Sequence, residues 1–591
     1  MKKFSVLTIT LIPLALFALV SCSKEEEKVQ PKVQAKSGTG ALPTTAQQEV
    51  SLADEMPLLT ALPPATNGFL FWNTSSEAYK KYLASPWGQH RMRQIDPKTY
   101  GEVFARYSKA FETAGLDLNN YQAWEKFFAN GVVFVATNPT TGPSLGLYFE
   151  SAPGSNLTQS MNTLSTELAK AGAKLSPPQY KGISGFGLDP KQFDAPAPAG
   201  QTEPAAAANP ATNKVIQVAW KDNRGVIALD GWLVEELFAK GYKELPKVTT
   251  SSAYTELAKR FPHASERFAM GYLDINGMLG QFGAMLPEEG KQAMAKNPVE
   301  AIAGVGAMTS SPESRLFAKY SPKDEEQKKY FDIVGKTAAD DIISVLPKGA
   351  LFTLSLDGQA LKRAKDTFIG PMAQDPAVQP FIGAIDSLTR LGVSAKMAAP
   401  GQSLLPIPAV SIVASSSKPQ EVEGVAKMVA EMAGVQFGVP GGGWTDTNVA
   451  GVAAKSMLVP GGVNLHLAST GSFVFLTSTR EGLENQLAVV QKKGAGLAEG
   501  FTPEVKTLLG SEPSLANIYV DFAELSDFMK NMAGTLTMYA PQNDQAKQLF
   551  DEKSLDELKR LGVMASAIQS EPGLITMRNF YAQPIAVQPK S

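Results

Sequence analysis

The sequence predicts an α+β fold made of two tandem, diverged repeats, each a largely antiparallel sheet with helices packed on it. Three patterns carry that expectation. Short apolar runs bounded by Gly and Pro are interspersed with amphipathic stretches in a fixed order: strand, helix, strand pair, helix, strand pair, helix, strand, helix, hairpin. That order lacks the regular alternation of a doubly wound parallel sheet. The series then runs twice along the chain. Composition fits a folded body with a large core, at 44% hydrophobic, 19% charged and 8% aromatic residues over 591 positions.

The elements follow in order. Leu62-Pro63-Pro64, then Gly68-Phe69-Leu70-Phe71-Trp72-Asn73, reads as a turn and a strand, with a helix from near Ser75. Its counterpart is Leu346-Pro347-Lys348, then Leu351 to Asp357, with a helix from near Gln359. Gly131 to Val135 matches Gly392 to Ala395, and Pro143 to Phe149 matches Pro408 to Ala414. Each pair feeds an amphipathic helix, marked by Leu157, Met161, Leu164 and Leu168 or by Val422, Val425, Val429 and Met432. Gly225 to Leu229 lies 247 positions before Ser472 to Leu476, and Tyr272-Leu273-Asp274-Ile275 the same 247 before Tyr519-Val520-Asp521-Phe522. A hairpin closes each half: Gly304 to Thr309 with Leu316 to Tyr320, and Gly562 to Ile568 with Leu574 to Phe580.

These matches set the boundaries. Residues 49–321 form the first repeat, 322–345 a linking helix opened by Ser321-Pro322, 346–584 the second repeat and 585–591 a disordered tail. Asp194 to Asn213, rich in Ala and Pro, is a surface insertion without a counterpart. Sheets in each half are expected to carry helices on one face.

Ahead of the body stands a short leader. Lys2 and Lys3 precede an apolar run from Val6 to Val20, which ends in Leu19-Val20-Ser21-Cys22 around the chain's single cysteine. The run is short for a transmembrane helix and has the flanks of a signal peptide. It resembles the lipobox of bacterial prolipoproteins. That resemblance implies a signal peptide over 1–21, lipidation at Cys22 and three acyl chains, which together hold a protein permanently at a membrane. Ser23, where an aspartate would imply retention in the inner membrane, implies an outer-membrane address facing the periplasm or the cell surface. Residues 22–48, with Lys24-Glu25-Glu26-Glu27-Lys28 and no apolar period, read as a flexible tether. The body resembles a family of uncharacterised bacterial envelope proteins known only as a domain of unknown function, and that family implies no activity and no catalytic residues.

A lipidated Cys22 leaves no thiol for catalysis, metal binding or a disulfide. A formal net charge of −2 is too small to point to nucleic acid. Gly335-Lys336-Thr337 lacks the opening glycine of a phosphate-binding loop, since Tyr330 stands there. Ser415-Ser416-Ser417-Lys418 has Ser-x-x-Lys spacing but reads as a polar turn before Pro419, with no partner motif. Gly182 to Phe186 misses the last glycine of a nucleophile elbow. His90, His263 and His466 show no metal-ligand spacing.

Asp274 and Asp521 hold equivalent positions, so they are either an acid/base dyad across a pseudo-twofold axis or, more simply, helix N-caps alongside Asn73 and Asp357. Trp72 and Trp87, in an aromatic-rich first half, and Trp444, after the loop Gly438 to Gly443, are candidates for a binding surface. The expected function is therefore a non-enzymatic binding or assembly module, membrane-anchored, without cofactor or metal, whose partner is another envelope protein. The alternatives are a carrier for a lipid or other apolar ligand, suggested by 19 methionines, and a hydrolase with an unrecognised acidic site.

Overall fold

A computed structural model describes residues 52–582, apart from 95–106, 117–120, 178–181, 190–214, 283–287, 326, 329–330, 332–336, 338, 369–373, 377, 398–407, 437–442, 460–462 and 540–551. The leader, Cys22, the tether, the insertion at 194–213, the tail, Gly335-Lys336 and most of the Gly438 to Gly443 loop lie outside the described residues. Among those described, no helix is long and apolar enough to cross a membrane.

Among the described residues ten strands precede residue 321: β1 (Thr66–Asn73), β2 (Asn130–Asn138), β3 (Gly142–Glu150), β4 (Leu175–Ser176), β5 (Ser184–Leu188), β6 (Ile216–Lys221), β7 (Arg224–Ala228), β8 (Arg267–Asp274), β9 (Val299–Met308) and β10 (Pro312–Tyr320). Ten follow: β11 (Ala350–Asp357), β12 (Leu388–Lys396), β13 (Ala409–Ser416), β14 (Thr445–Val449), β15 (Val452–Val459), β16 (Val463–Thr470), β17 (Phe473–Thr477), β18 (Ala516–Asp521), β19 (Val563–Glu571) and β20 (Leu574–Ala582).

All pair antiparallel in one sheet. From the centre, one arm runs β10-β9-β8-β1-β2-β3-β7-β6-β5-β4. The other runs β20-β19-β18-β11-β12-β13-β17-β16-β15-β14. The order is the same in both arms, and β10 pairs with β20 to join them. A register shift falls at the start of β1, between Thr66 and Gly68, and at the same point in β11, between Ala350 and Phe352.

Alternation divides the strands between two faces. On the inner face Phe69, Phe71, Phe134, Tyr148 and Met270 pack beneath the segments Pro57–Ala61, Gly231–Glu235 and Ser252–Ala258. In the second arm Phe475, Tyr519, Ala565 and Phe580 meet Ile342, Leu487, Leu508 and Leu509. The outer face is also covered, at both ends of the sheet. Phe149 and Trp220 lie under α1 (Leu157–Lys170), and Ala414, Leu467 and Val474 under α2 (Pro419–Gln436). Helices therefore occupy both faces rather than one. Strands β3 and β13 each bury apolar side chains on both faces, as Tyr148-Phe149 and Val413-Ala414 do.

Two sequence matches shift in register. Phe69 pairs with Phe134 and Thr353 with Ser394, so Val132, not Gly131, occupies the place of Gly392. A one-residue slip of this kind exchanges the faces. Tyr148 pairs with Val226 and Val413 with Phe475, which moves the β7–β17 match two residues from its expected spacing. The spacing at Tyr272 and Tyr519 is kept, since they pair with Phe69 and Thr353. The linking helix also stops short of 345. Residues 339–341 are not helical, and Ile342–Ser344 forms a single 3₁₀ turn.

The arms differ most on the inner face. Where the first has Phe69, Phe71, Phe134 and Met270, the second has Thr353, Ser355, Ser394 and Asn517, equally buried. Arg390, 1% exposed, holds part of that polar stratum together. Its Nε donates to Ser355 Oγ at 2.8 Å, and its Nη2 donates to the Ser514 carbonyl and hydroxyl at 3.0 and 2.8 Å. Asp340 lies 3.2 Å and Asp357 3.7 Å from the guanidinium, while Asn517 Nδ2 donates to Asp340 Oδ2 at 2.9 Å. Each buried charge thus has an opposite partner.

Candidate functional site

On the outer face the ends are covered in part, with Val410 and Ile412 of β13 still 38% exposed, and the middle is half-open. A continuous apolar row crosses the join of the arms there: Leu70, Gly271, Gly304, Leu316, Met577 and Ile568, each paired directly with the next. Leu70 leans over Gly271 and Leu316 over Gly304, at 3.3 and 3.7 Å from where a Cβ would stand. Glycine there leaves a shallow floor between larger neighbours. Leu70 is 38% exposed, and Leu316, Met577 and Ile568 are half-buried. A contiguous apolar strip left accessible in this way suits protein or lipid contact.

Behind the strip, on the inner face, the join is ionic. Arg315 pairs directly with Arg578 across β10 and β20. Like charges so placed repel, and Glu313 between them compensates. Glu313 Oε1 accepts from Arg315 Nε at 2.6 Å and from Arg578 Nε at 3.2 Å. Arg578 Nη1 also donates to both oxygens of Glu512, at 3.2 and 3.1 Å. Nothing in the linear sequence marked these residues, because each half carries only part of the cluster.

The three tryptophans stand apart. Trp72 lies over Gly131, whose added Cβ would come within 2.1 Å of its ring, and its Nε1 donates to the Phe128 carbonyl at 3.1 Å. Trp444 packs against the cluster of Leu388, Ala414, Leu467 and Val474, with its Nε1 buried and unpartnered in the structure. Trp87, on α3 (Pro86–Gln94), reaches the other half of the chain. Its ring sits 4.2 Å from Tyr581 and 5.3 Å from Phe522, and its Nε1 donates to the Leu561 carbonyl at 2.8 Å. All three are engaged within the fold, and they make no common surface.

Asp274 and Asp521 are not brought together. Their strands are five steps apart in the sheet, about 24 Å at ordinary strand spacing. Each caps the helix that follows it. Asp274 accepts from Gly277 N at 2.8 Å, and Asp521 from Ala523 N and Glu524 N at 2.9 and 3.2 Å. Asn73 and Asp357 accept likewise from Ser75 N and Gln359 N. Burial pushes the Asp521 carboxyl above the usual carboxylate range, against the pull of those amides. Glu524 is raised too, first by burial and then by Asp521 and Asp527.

The remaining polar motifs serve structure. Ser415 Oγ donates to Asp341 Oδ2 at 2.5 Å, while the Lys418 ammonium pairs with Glu421 at 2.9 Å and not with Ser415. His263 caps a 3₁₀ turn, His90 lies edge-on to Trp87, and His466 sits on β16, where burial lowers its pKa. Among the described residues no group of three His, Cys, Asp or Glu side chains is disposed to hold a metal ion.

No protein-family model matches the chain, and no curated protein matches it. Among solved structures, one described as "Structure of crystal form I of TP0453" aligns with a TM-score of 0.22 and 12% identity, over 43% of this chain and 82% of that one.

Proposed function

We propose that this protein is a lipid-anchored envelope protein whose body is a non-enzymatic binding or assembly module, built by duplication of one α+β unit. The half-open apolar strip across the join of the arms is the observation that carries this reading. Duplication is supported by the matched strand order, the matched register shifts and the central Arg315–Arg578 pair. Anchoring at the outer membrane rests on the lipobox at Leu19 to Cys22 and on the tether behind it. The strip would then meet an apolar face on another envelope protein.

The test is capture of that partner from detergent-solubilised membranes by the full-length protein and by Leu70→Lys and Met577→Lys. Stoichiometric recovery by the unaltered protein, lost in both variants while thermal stability holds, is the expected result. Equal recovery by all three, or recovery of the protein alone with turnover of a substrate, would overturn it. The carrier reading draws on the same strip. Native mass spectrometry separates the two, since a carrier retains an apolar small molecule and a docking module does not.

A further inference from the structure

We infer that the outer face at the far end of the second arm docks a second copy of this chain, with α2 at the centre of the contact. Four of the large apolar side chains exposed among the described residues lie there: Val410 and Ile412, each 38% exposed, Val429 at 45% and Met432 at 48%. Val410 and Ile412 stand on β13, on the opposite face from the core residue Val413. On α2 the row Val422, Ala426 and Ala430 turns to the sheet. The helical repeat then puts Glu423 and Lys427 on one flank of that row, and Val425, Val429 and Met432 on the other. Glu423 accepts from Ser469 Oγ on β16 at 2.7 Å, so the charged flank looks toward β16. The apolar flank looks back toward β13, where it stands as a ridge beside a floor of Val410 and Ile412. Val393 and Leu476, paired with Ile412 on either side, are half-buried and widen that floor.

The first arm lacks this feature. The ladder aligns Leu145 and Leu147 with Val410 and Ile412, and both are half-buried there. The exposed side of α1 carries Gln159, Asn162 and Thr166 in place of apolar residues. Duplication therefore left one arm with a polar helix exterior and the other with an apolar one. Shape favours a second copy as the occupant. A ridge and a floor side by side are self-complementary, so across a twofold axis each ridge enters the other copy's floor. Laid antiparallel, the two α2 helices also oppose their dipoles favourably. Charge disfavours an anionic bilayer, since α2 holds Glu421, Glu423 and Glu431 against Lys427 alone. Area agrees. At 18 residues α2 is about 27 Å long, and with two strand spacings beside it the face is about 20 Å wide. About 500 Å² is then covered on each copy, or about 1,000 Å² in all, the lower bound for a specific association. The strip across the join of the arms lies elsewhere on the sheet, and the inference does not depend on it.

Sedimentation equilibrium of the full-length protein in density-matched nonionic detergent, across the micromolar range, tests the assignment. A reversible equilibrium between monomer and dimer is expected. Met432→Lys, at an exposed helix position, should weaken the dimer about tenfold or more by burying a charge in the contact. Ile412→Thr, which keeps a β-branched side chain on the strand, should weaken it as well, and both variants should keep the melting temperature of the unaltered protein. Leu70→Lys, on the strip, should leave the dimer as it is, which separates this face from the one proposed to meet another envelope protein. A monomer at every concentration would overturn the inference, as would a dimer that survives both Met432→Lys and Ile412→Thr. In the monomeric case a fall in bound detergent on Met432→Lys would give the face to lipid, and no fall would give it to a different protein.

Discussion

Asp521 caps a helix from a half-buried position, and the two demands oppose each other. As a cap its carboxylate accepts two backbone amides, yet burial raises its pKa, and Glu524 beside it is raised as well. A carboxyl whose pKa is higher in the folded state contributes stability below the ordinary carboxylate range, near pH 4, and loses it as pH rises through the raised value. Asp521→Asn keeps an acceptor for the cap and removes the buried charge. It should therefore raise the melting temperature at pH 7 and flatten the stability difference between pH 7 and pH 4.5, whereas Asp521→Ala should cost about 1 kcal/mol through loss of the cap. Arg390 sets the opposite case, because its charge is compensated. Arg390→Leu leaves Asp340 and Asp357 buried without a cation, and a loss of about 3–5 kcal/mol in denaturant melts is expected. The capping role was legible, since a polar residue between a strand and a helix has few other uses. Arg390 was not, because alternation gives an arginine the same spacing whether its face is wet or dry.

At the scale of elements, the strands were legible from proline-led turns, β-branched runs and tight hairpins. Their partners were only partly so. Matching glycine to glycine placed Gly131 against Gly392, while the ladder aligns Val132 there, because an inward valine and an inward glycine share no chemistry yet share a face. The β10–β20 pairing left no trace in either half, as an edge strand reads the same whether its neighbour is solvent or strand. Helix α3 is the element whose role changes most. Its aromatic residue read as a surface contact, and in the fold Trp87 closes against Phe522, Tyr581 and the Leu561 carbonyl from the other arm. Trp87→Ala removes that ring and its donor, so a loss of about 3 kcal/mol is expected. Trp87→Phe, retaining the ring contact without the N–H, should recover more than half of it. Equal losses in the two variants would mean that the hydrogen bond, and not the aromatic packing, carries the contact.

For the whole molecule the question is whether two arms with separate cores behave as one body. Each arm has its own inner-face cluster, and the clusters meet where Leu574 of β20 joins the first-arm core. The continuous sheet, Glu313 on the inner face and Trp87 on the outer bind them together. Calorimetry should accordingly record a single unfolding transition for the unaltered protein. Glu313→Ala leaves Arg315 facing Arg578 without the anion between them, at a cost of about 2–4 kcal/mol. Because Glu313 and Trp87 lie on opposite faces and share no partner, their losses should add. The double variant Glu313→Ala/Trp87→Ala should then resolve into two transitions, with the arms melting separately around their own cores. A single transition that merely moves to lower temperature would place the coupling in the backbone ladder of β10 and β20. In that case the apolar strip on the outer face, which spans the same two strands, is a rigid platform rather than a hinge between two lobes.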